Sequence, residues 1–272
     1  MVSVRWTGAA GLEFTHDGRT WLIDPYYTRS GKGDVLFGRL TPDVDTIKRR
    51  LRELPGELSA VIAGHSHFDH IADIPTIAGE FDGPILGNSS LETAMKIHER
   101  PGRVRACTGR ERVELPGGAV LTMIPSRHGK VIFGRVPYPG EIDPHTPRPF
   151  RAKDYRHGQV FSPHFEVGGV RFVQIGSADV IDEELAPHPA DIVFLCVPGW
   201  KYCPDYAARV IRNLRPKVVI PFHFDDFTKP FDADGRAPSL PFQGIDAFIA
   251  KLRAEARGIE IRVVHTYETL RF

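Results

Sequence analysis

Within six residues, His65-Ser66-His67-Phe68-Asp69-His70 gathers three imidazoles and one carboxylate, directly after the apolar run at residues 60–63. Imidazole nitrogen and carboxylate oxygen suit a divalent cation such as zinc, and a catalytic metal keeps about three protein ligands with one position open for water. Where a strand ends in a tight turn, His65 and His67 point to one side, while Asp69 and His70 reach a second point close by. One turn can therefore feed two metal ions. Three more apolar runs end in the same residue types, one before His128, one before Asp179 and one before His223. In open α/β sheets ligands bind outside the carboxyl ends of the strands, so residues far apart in sequence converge there. Asp24 closes another run beside Pro25. It is either a turn residue or the outer partner that orients a liganding histidine by accepting its second N–H.

Each of these residues also has a plainer role open to it. The motif could cap a following helix, and Asp179 or Asp182 could do the same. His128 could be a partly buried, hydrogen-bonded histidine, and His223, ahead of Asp225-Asp226, a solvated loop residue. The recurrence of ligand types at strand ends, more than any single residue, favours a metal site. The chemistry expected of it is hydrolysis. Metal binding lowers the pKa of water to about 7, and a pair of cations roughly 3.5–4 Å apart stabilises both attacking and leaving oxygens. A metal-bound hydroxide would then attack an ester-type bond, such as a lactone, a phosphodiester or a related small substrate, with Asp69 placed to receive or relay a proton. Trp200 and Tyr202 are expected at the pocket mouth, and His145 and His157, in a proline-rich segment, within reach of a substrate. Cys107, Cys196 and Cys203 read as packing residues, since nothing nearby in sequence lowers a thiol pKa.

The elements that must hold these residues follow from hydrophobic period. Residues 4–14 and 20–23 read as paired strands joined at His16-Asp17-Gly18. Thr41-Pro42-Asp43 offers a cap, a first-turn proline and an early acid for a helix at 44–54. Further helices are expected at 74–79, 90–98, 204–213 and 245–257, and strands at 120–125, 170–175, 192–197 and 218–220. This alternation indicates an α/β layered fold in one domain spanning 1–272, interrupted by a long proline-rich loop at 136–163.

Composition narrows the partners. In 272 residues, 35 Lys plus Arg face 34 Asp plus Glu, so a net charge of +1 gives no global field for nucleic acid or an anionic membrane. With 42% apolar and 25% charged residues the chain is neither disordered nor a coiled coil. Three widely spaced cysteines argue against a disulfide framework and for a reducing, cytoplasmic location. The amino terminus lacks the signal-peptide pattern, and no run reaches the ~18 apolar residues of a transmembrane segment. A small-molecule substrate is expected, and the composition is compatible with a homo-oligomer.

Taken in order, the Trp6-Thr7-Gly8-Ala9-Ala10-Gly11 opening, Leu22-Ile23-Asp24-Pro25, the His65–His70 motif, His128, the loop at 176–179 and His223 resemble the metallo-β-lactamase-fold hydrolases. Within that superfamily the chain is similar to the branch of ascorbate-6-phosphate lactonase-like and N-acylphosphatidylethanolamine phospholipase D-like enzymes. The resemblance implies an αβ/βα four-layer sandwich, two mixed β-sheets face to face with helices outside. It also implies a dinuclear site of two divalent ions, zinc foremost, with manganese or iron as alternatives. His65, His67 and His128 would hold the first metal, Asp69, His70 and His223 the second, and Asp179 would bridge them. One departure bears on that bridge, because the family's Gly-Asp-Thr/Ser step reads Gly176-Ser177-Ala178-Asp179 here. A non-haem iron oxidoreductase of the same superfamily is the rival reading, disfavoured for electron transfer by the lack of a flavodoxin-like extension. A nuclease would call for a basic groove.

Overall fold

Short β-branched and aromatic runs build the sheets, and the computed structural model describes every residue except 132, 233, 234, 242 and 243. Among the described residues the strands are β1 (Ser3–Gly8), β2 (Gly11–His16), β3 (Arg19–Ile23), β4 (Glu57–Ile62), β5 (Ile85–Gly87), β6 (Val104–Ala106), β7 (Arg112–Glu114), β8 (Val120–Ser126), β9 (Val160–Val167), β10 (Val170–Ile175), β11 (Ile192–Cys196), β12 (Val218–Phe222), β13 (Glu260–Ile261) and β14 (Thr269–Arg271). They form two seven-stranded sheets, ordered β14-β1-β2-β3-β4-β5-β6 and β13-β12-β11-β10-β9-β8-β7. Each is mixed. Antiparallel pairing from β14 to β3 gives way to parallel pairing from β3 to β6, and β7 to β10 is antiparallel where β10 to β13 is parallel.

Three buried clusters define four layers. The central one joins the inner faces of both sheets, with Trp6, Phe14 and Trp21 of the first meeting Phe165, Phe172 and Phe194 of the second. Phe14 lies at its middle, with ring centroids 4.9 Å from Phe165 and 5.1 Å from Phe172, the separations aromatic pairs prefer. A second cluster packs Leu22, Val61 and Ile85 against Ile47, Ile77 and Leu91 of the outer helices, and a third packs Val173, Leu195 and Val219 against Val210, Phe248 and Leu252. This is the αβ/βα sandwich, with helices covering both outer faces.

Local differences from the sequence reading have local causes. The run at 4–14 is two strands, because Gly8 (φ 100°) and Ala9 (φ 45°) turn the chain between β1 and β2. A Cβ on Gly8 would lie 2.5 Å from Nη1 of Arg29, so that turn needs glycine. The helix Val44–Arg52 is capped by Asp43, whose Oδ1 accepts from Thr46 N at 3.0 Å, which leaves Pro42 outside it. The segment at 136–163 gives its last residues to β9 and a short 3₁₀ turn at Ala152–Asp154, and anchors itself through buried Ile142, Phe150 and Tyr155. Among the described residues no helix is long and apolar enough to cross a membrane.

Candidate metal centre

The residues singled out by type lie just beyond strand ends from both sheets. Asp24 follows β3, His65–His70 follow β4, His128 follows β8 and His223 follows β12. Asp24 N donates to Ile62 O at 2.8 Å within the first sheet, and Phe161 N of the second sheet donates to Gly64 O of the first at 2.8 Å, stitching the two sheets together there. Asp24 (φ 49°) and His223 (φ 64°) both sit in the left-handed region, a conformation costing of order 1–3 kcal/mol that persists only where surroundings enforce it.

Two groups of ligand-type side chains result, His65 with His67 and His128, and Asp69 with His70 and His223, the candidate ligand atoms of each lying within 4.8 Å of one another. The groups adjoin, since the rings of His65 and His70 are 3.7 Å apart between centroids. All are buried except His128, which is half-buried. Burial, reinforced by the neighbouring imidazoles, holds His65 and His67 well below the ordinary histidine range, and burial brings His128 down to about 3. These three rings are therefore neutral near pH 7 and offer lone pairs. For Asp69, burial works against ionisation but is outweighed by His70 and His223, so its carboxyl stays well below the usual range. His70 moves the other way, because Asp24 and Asp69 outweigh its burial and raise it.

The outer partners fix which nitrogen faces inward. Nε2 of His67 donates to the Pro137 carbonyl at 3.0 Å and Nδ1 of His128 to the Gly129 carbonyl at 2.7 Å, so the opposite nitrogen of each neutral ring carries the lone pair. Nε2 of His65 lies 3.2 Å from that free Nδ1 of His67. Nδ1 of His70 lies 2.8 Å from Oδ2 of Asp24, a contact of opposite charges more than a linear hydrogen bond, leaving Nε2 toward Asp69 at 3.9 Å. Nε2 of His223 is 3.4 Å from Oδ2 of Asp69. Both readings of Asp24 thus coincide, since it turns the chain, accepts from Gly64 N at 2.7 Å and stands against His70. This donor set fits divalent cations. Inward lone pairs converge with one carboxylate; the outer nitrogens of His67 and His128 are spent on carbonyls and that of His70 stands against Asp24, while Nδ1 of His65 and of His223 is buried with no hydrogen-bond partner among the described residues.

Asp179 is placed elsewhere. Its Oδ1 accepts from Val180 N at 2.8 Å and from Nη1 of Arg209 at 3.2 Å, and it belongs to neither ligand group. Three residues beyond Gly176 the chain has passed the strand end, so the carboxylate meets the helix Tyr206–Leu214. Ser177, two positions earlier, lines the cavity instead, its Oγ accepting from Gly129 N at 3.0 Å. Nor does Asp179 or Asp182 cap a helix, since the helix Asp182–Leu185 has no side-chain cap and Asp182 binds Arg209, Arg212 and Asn213.

The cavity above the two groups measures about 340 Å³. None of the four expected substrate contacts lines it. Trp200 packs on Phe248 at 5.5 Å, Tyr202 is exposed beside Gly134, and His145 is exposed with its backbone N–H on Asp143. His157 comes nearest, stacked 5.5 Å from His128, with its carbonyl accepting from Ser66 N and from Asn88. The walls are Val35, Leu36, Val131, Tyr138, Phe227 and Leu240, which carry no motif that sequence reasoning could have found. Two supports were also missed. Asn88 accepts from Ser66 Oγ at 2.6 Å while capping the helix Ser89–Ile97, a role its position before two serines signalled. Arg29, buried under Phe231, pairs with Asp225 at 2.8 Å and holds the carbonyl oxygens of Asp226 and Lys229, which pins the loop after His223. Burial raises all three thiols, Cys107 and Cys203 to about 11, so none is a ready nucleophile.

Fold and site together are those of a metal-dependent hydrolase. The chain belongs to the beta-lactamase superfamily, whose domain model matches residues 3–223. It is 25% identical over 234 residues to a UPF0173 metal-dependent hydrolase of Polynucleobacter asymbioticus, covering 81% of this chain and 73% of that one. Igni18, a metallo hydrolase from Ignicoccus hospitalis, superposes with TM-score 0.62 at 15% identity, over 100% of this chain and 99% of that one. CmlA, a diiron β-hydroxylase from Streptomyces venezuelae, superposes with TM-score 0.64 at 14% identity, over 100% of this chain and 54% of that one.

Proposed function

We propose that the chain hydrolyses an ester-type bond of a small molecule with the help of two divalent cations, zinc foremost. The observation that carries this reading is the pair of adjoining three-ligand groups at the floor of one cavity. His65, His67 and His128 would hold one ion, and Asp69, His70 and His223 the other. When bound, such ions supply an acidified water and a Lewis acid for the oxygen that gains charge. The chain's own residues do the rest. Pro137 and Gly129 carbonyls fix the tautomers of His67 and His128, Asp24 holds His70, and the Arg29–Asp225 pair steadies the loop beside His223. Asp69, kept ionised by the imidazoles around it, borders the attacking water and would receive or relay a proton only as a weak base.

The reading takes residues 1–272 as one hydrolase domain and places it in the cytoplasm, where three buried free cysteines suit a reducing medium. Iron-dependent oxidation, the rival class, is represented among the structural neighbours by the diiron hydroxylase, at an identity that carries fold alone. Replacing His65 and His67 together with alanine is the deciding experiment. Hydrolysis of a lactone, diester and ester panel should be lost, and bound metal, measured by elemental analysis, should fall, while circular dichroism stays native. Full activity in that variant would sink the reading, and iron with oxygen consumption in the parent protein would favour the rival.

A further inference from the structure

Away from the ligand groups the cavity is lined mainly by apolar side chains, with Lys32, Ser177, Asp226 and Thr228 as its other polar residues. Above the ligand groups its walls are Val35 and Leu36 on one side, Val131 and Tyr138 on another, and Phe227 and Leu240. Its volume of about 340 Å³ falls in the range of small-molecule sites, roughly 300–1,000 Å³. Among the described lining residues there is no arginine, and the one lysine, Lys32, is exposed at the start of the short helix Lys32–Leu36. Of the two acids, Asp69 belongs to the floor and Asp226 is engaged by Thr228 and Lys229. A phosphate or carboxylate on the substrate would meet no guanidinium clamp of the kind that usually recognises such groups.

The rim continues the apolar character outward. Leu36 is 58% exposed and the next residue, Phe37, 83%. Pro137 and Tyr138 line both the cavity and an adjoining recess whose other lining residues are Val136, Arg135 and Phe133, the last 94% exposed. Large exposed apolar side chains around an apolar opening mark a place where an apolar ligand is covered.

We propose that the substrate is an uncharged carboxylic ester or lactone with an apolar acyl chain. The carbonyl sits at the metal-binding floor, and the chain runs along Leu36 and Tyr138 and leaves past Pro137 toward Phe133. The assignment rests on the hydrolase reading. In the step it implies, water oxygen bonds to the acyl carbon, the carbon–oxygen bond to the alcohol breaks, the alcohol oxygen takes one proton, and the carboxylic acid releases another.

The test has two arms. Zinc-loaded protein is given p-nitrophenyl esters from acetate to decanoate alongside bis(p-nitrophenyl) phosphate, and binding of 1-decanol to metal-free protein is followed by calorimetry. The proposal expects kcat/KM to rise roughly three- to fourfold per methylene until the chain reaches the rim, the gain from burying each group. Decanol should bind, and Leu36→Ser and Phe133→Ser, both at exposed positions, should weaken that binding at least about fivefold and flatten the ester series. A series flat from acetate to decanoate, faster cleavage of the diester than of decanoate, or no decanol binding would each overturn it. If nothing is hydrolysed while decanol binds and the variants weaken it, the hydrolase reading fails and the apolar chain site stands.

Discussion

Asp69 and Asp179 are chemically the same residue, and their surroundings separate them. Asp69 faces imidazoles and lies within ligand range of His70 and His223, whereas Asp179 faces Arg209 and the backbone of Val180. A carboxylate already satisfied by a guanidinium gains little from turning toward a metal. Asp69→Asn should therefore lower hydrolysis at least about 100-fold with loss of one metal per chain, since removing a ligand costs more than removing an outer partner. Asp179→Asn should leave metal content unchanged. Elemental analysis and kcat on both variants check this, and loss of metal from the Asp179 variant would refute the assignment. The contrast also marks what was legible at this scale. The histidines could be read because they crowd into one turn and recur at strand ends. The destination of Asp179 could not, because it depends on where a helix some thirty positions later presents Arg209, and no local pattern encodes that.

The element that carries the motif is held from behind by Asp73. Its carboxylate lies wholly buried below the short helix Phe68–Ile71 and accepts from Tyr27 N at 2.5 Å, Thr28 N at 2.9 Å and Thr28 Oγ1 at 2.5 Å, tying the stretch after β3 to the stretch after β4. Burial pushes its pKa up to about 6, against about 3.9 in an unfolded chain. The folded state thus binds this proton more tightly, so the group destabilises the fold above pH 6 and the penalty fades as pH falls toward 4, a swing of about 3 kcal/mol. Asp73→Asn keeps an oxygen for both backbone donors and can donate to Thr28 Oγ1 in place of accepting. Its stability relative to the parent should be highest near pH 7 and fall by about 2–3 kcal/mol on acidification to pH 4. Urea denaturation of both proteins across that range measures it, and a constant difference would remove the argument. At this scale most elements followed from apolar period and caps. The break at Gly8 and the walls of the cavity did not. The first needs the position of Arg29, and the walls are ordinary apolar residues that become a site only when Leu36, from a short helix, and Phe227, from a loop, face the same space.

Across the whole molecule, the ligand groups are the point where both sheets meet at one edge, His65, His67, Asp69 and His70 coming from the first and His128 and His223 from the second. Cations held there link the two halves of the sandwich, and the unfolded chain offers no comparable site because its ligands are separated by up to 158 positions, from 65 to 223. Binding to the native state alone stabilises it by about 4.1 kcal/mol per site at a thousandfold excess over Kd. For a chain of this size each kcal/mol moves the melting temperature by roughly 2–4 °C. Protein stripped with a chelator and then given zinc at that excess should melt about 10 °C or more above the stripped form, while the His65→Ala/His67→Ala variant gains less than half of that because one group has lost two of its three ligands. Scanning calorimetry reads both shifts. An equal rise in parent and variant would place the stabilising metal away from these residues, and no rise in either would mean that the two sheets are not bridged by a cation at all.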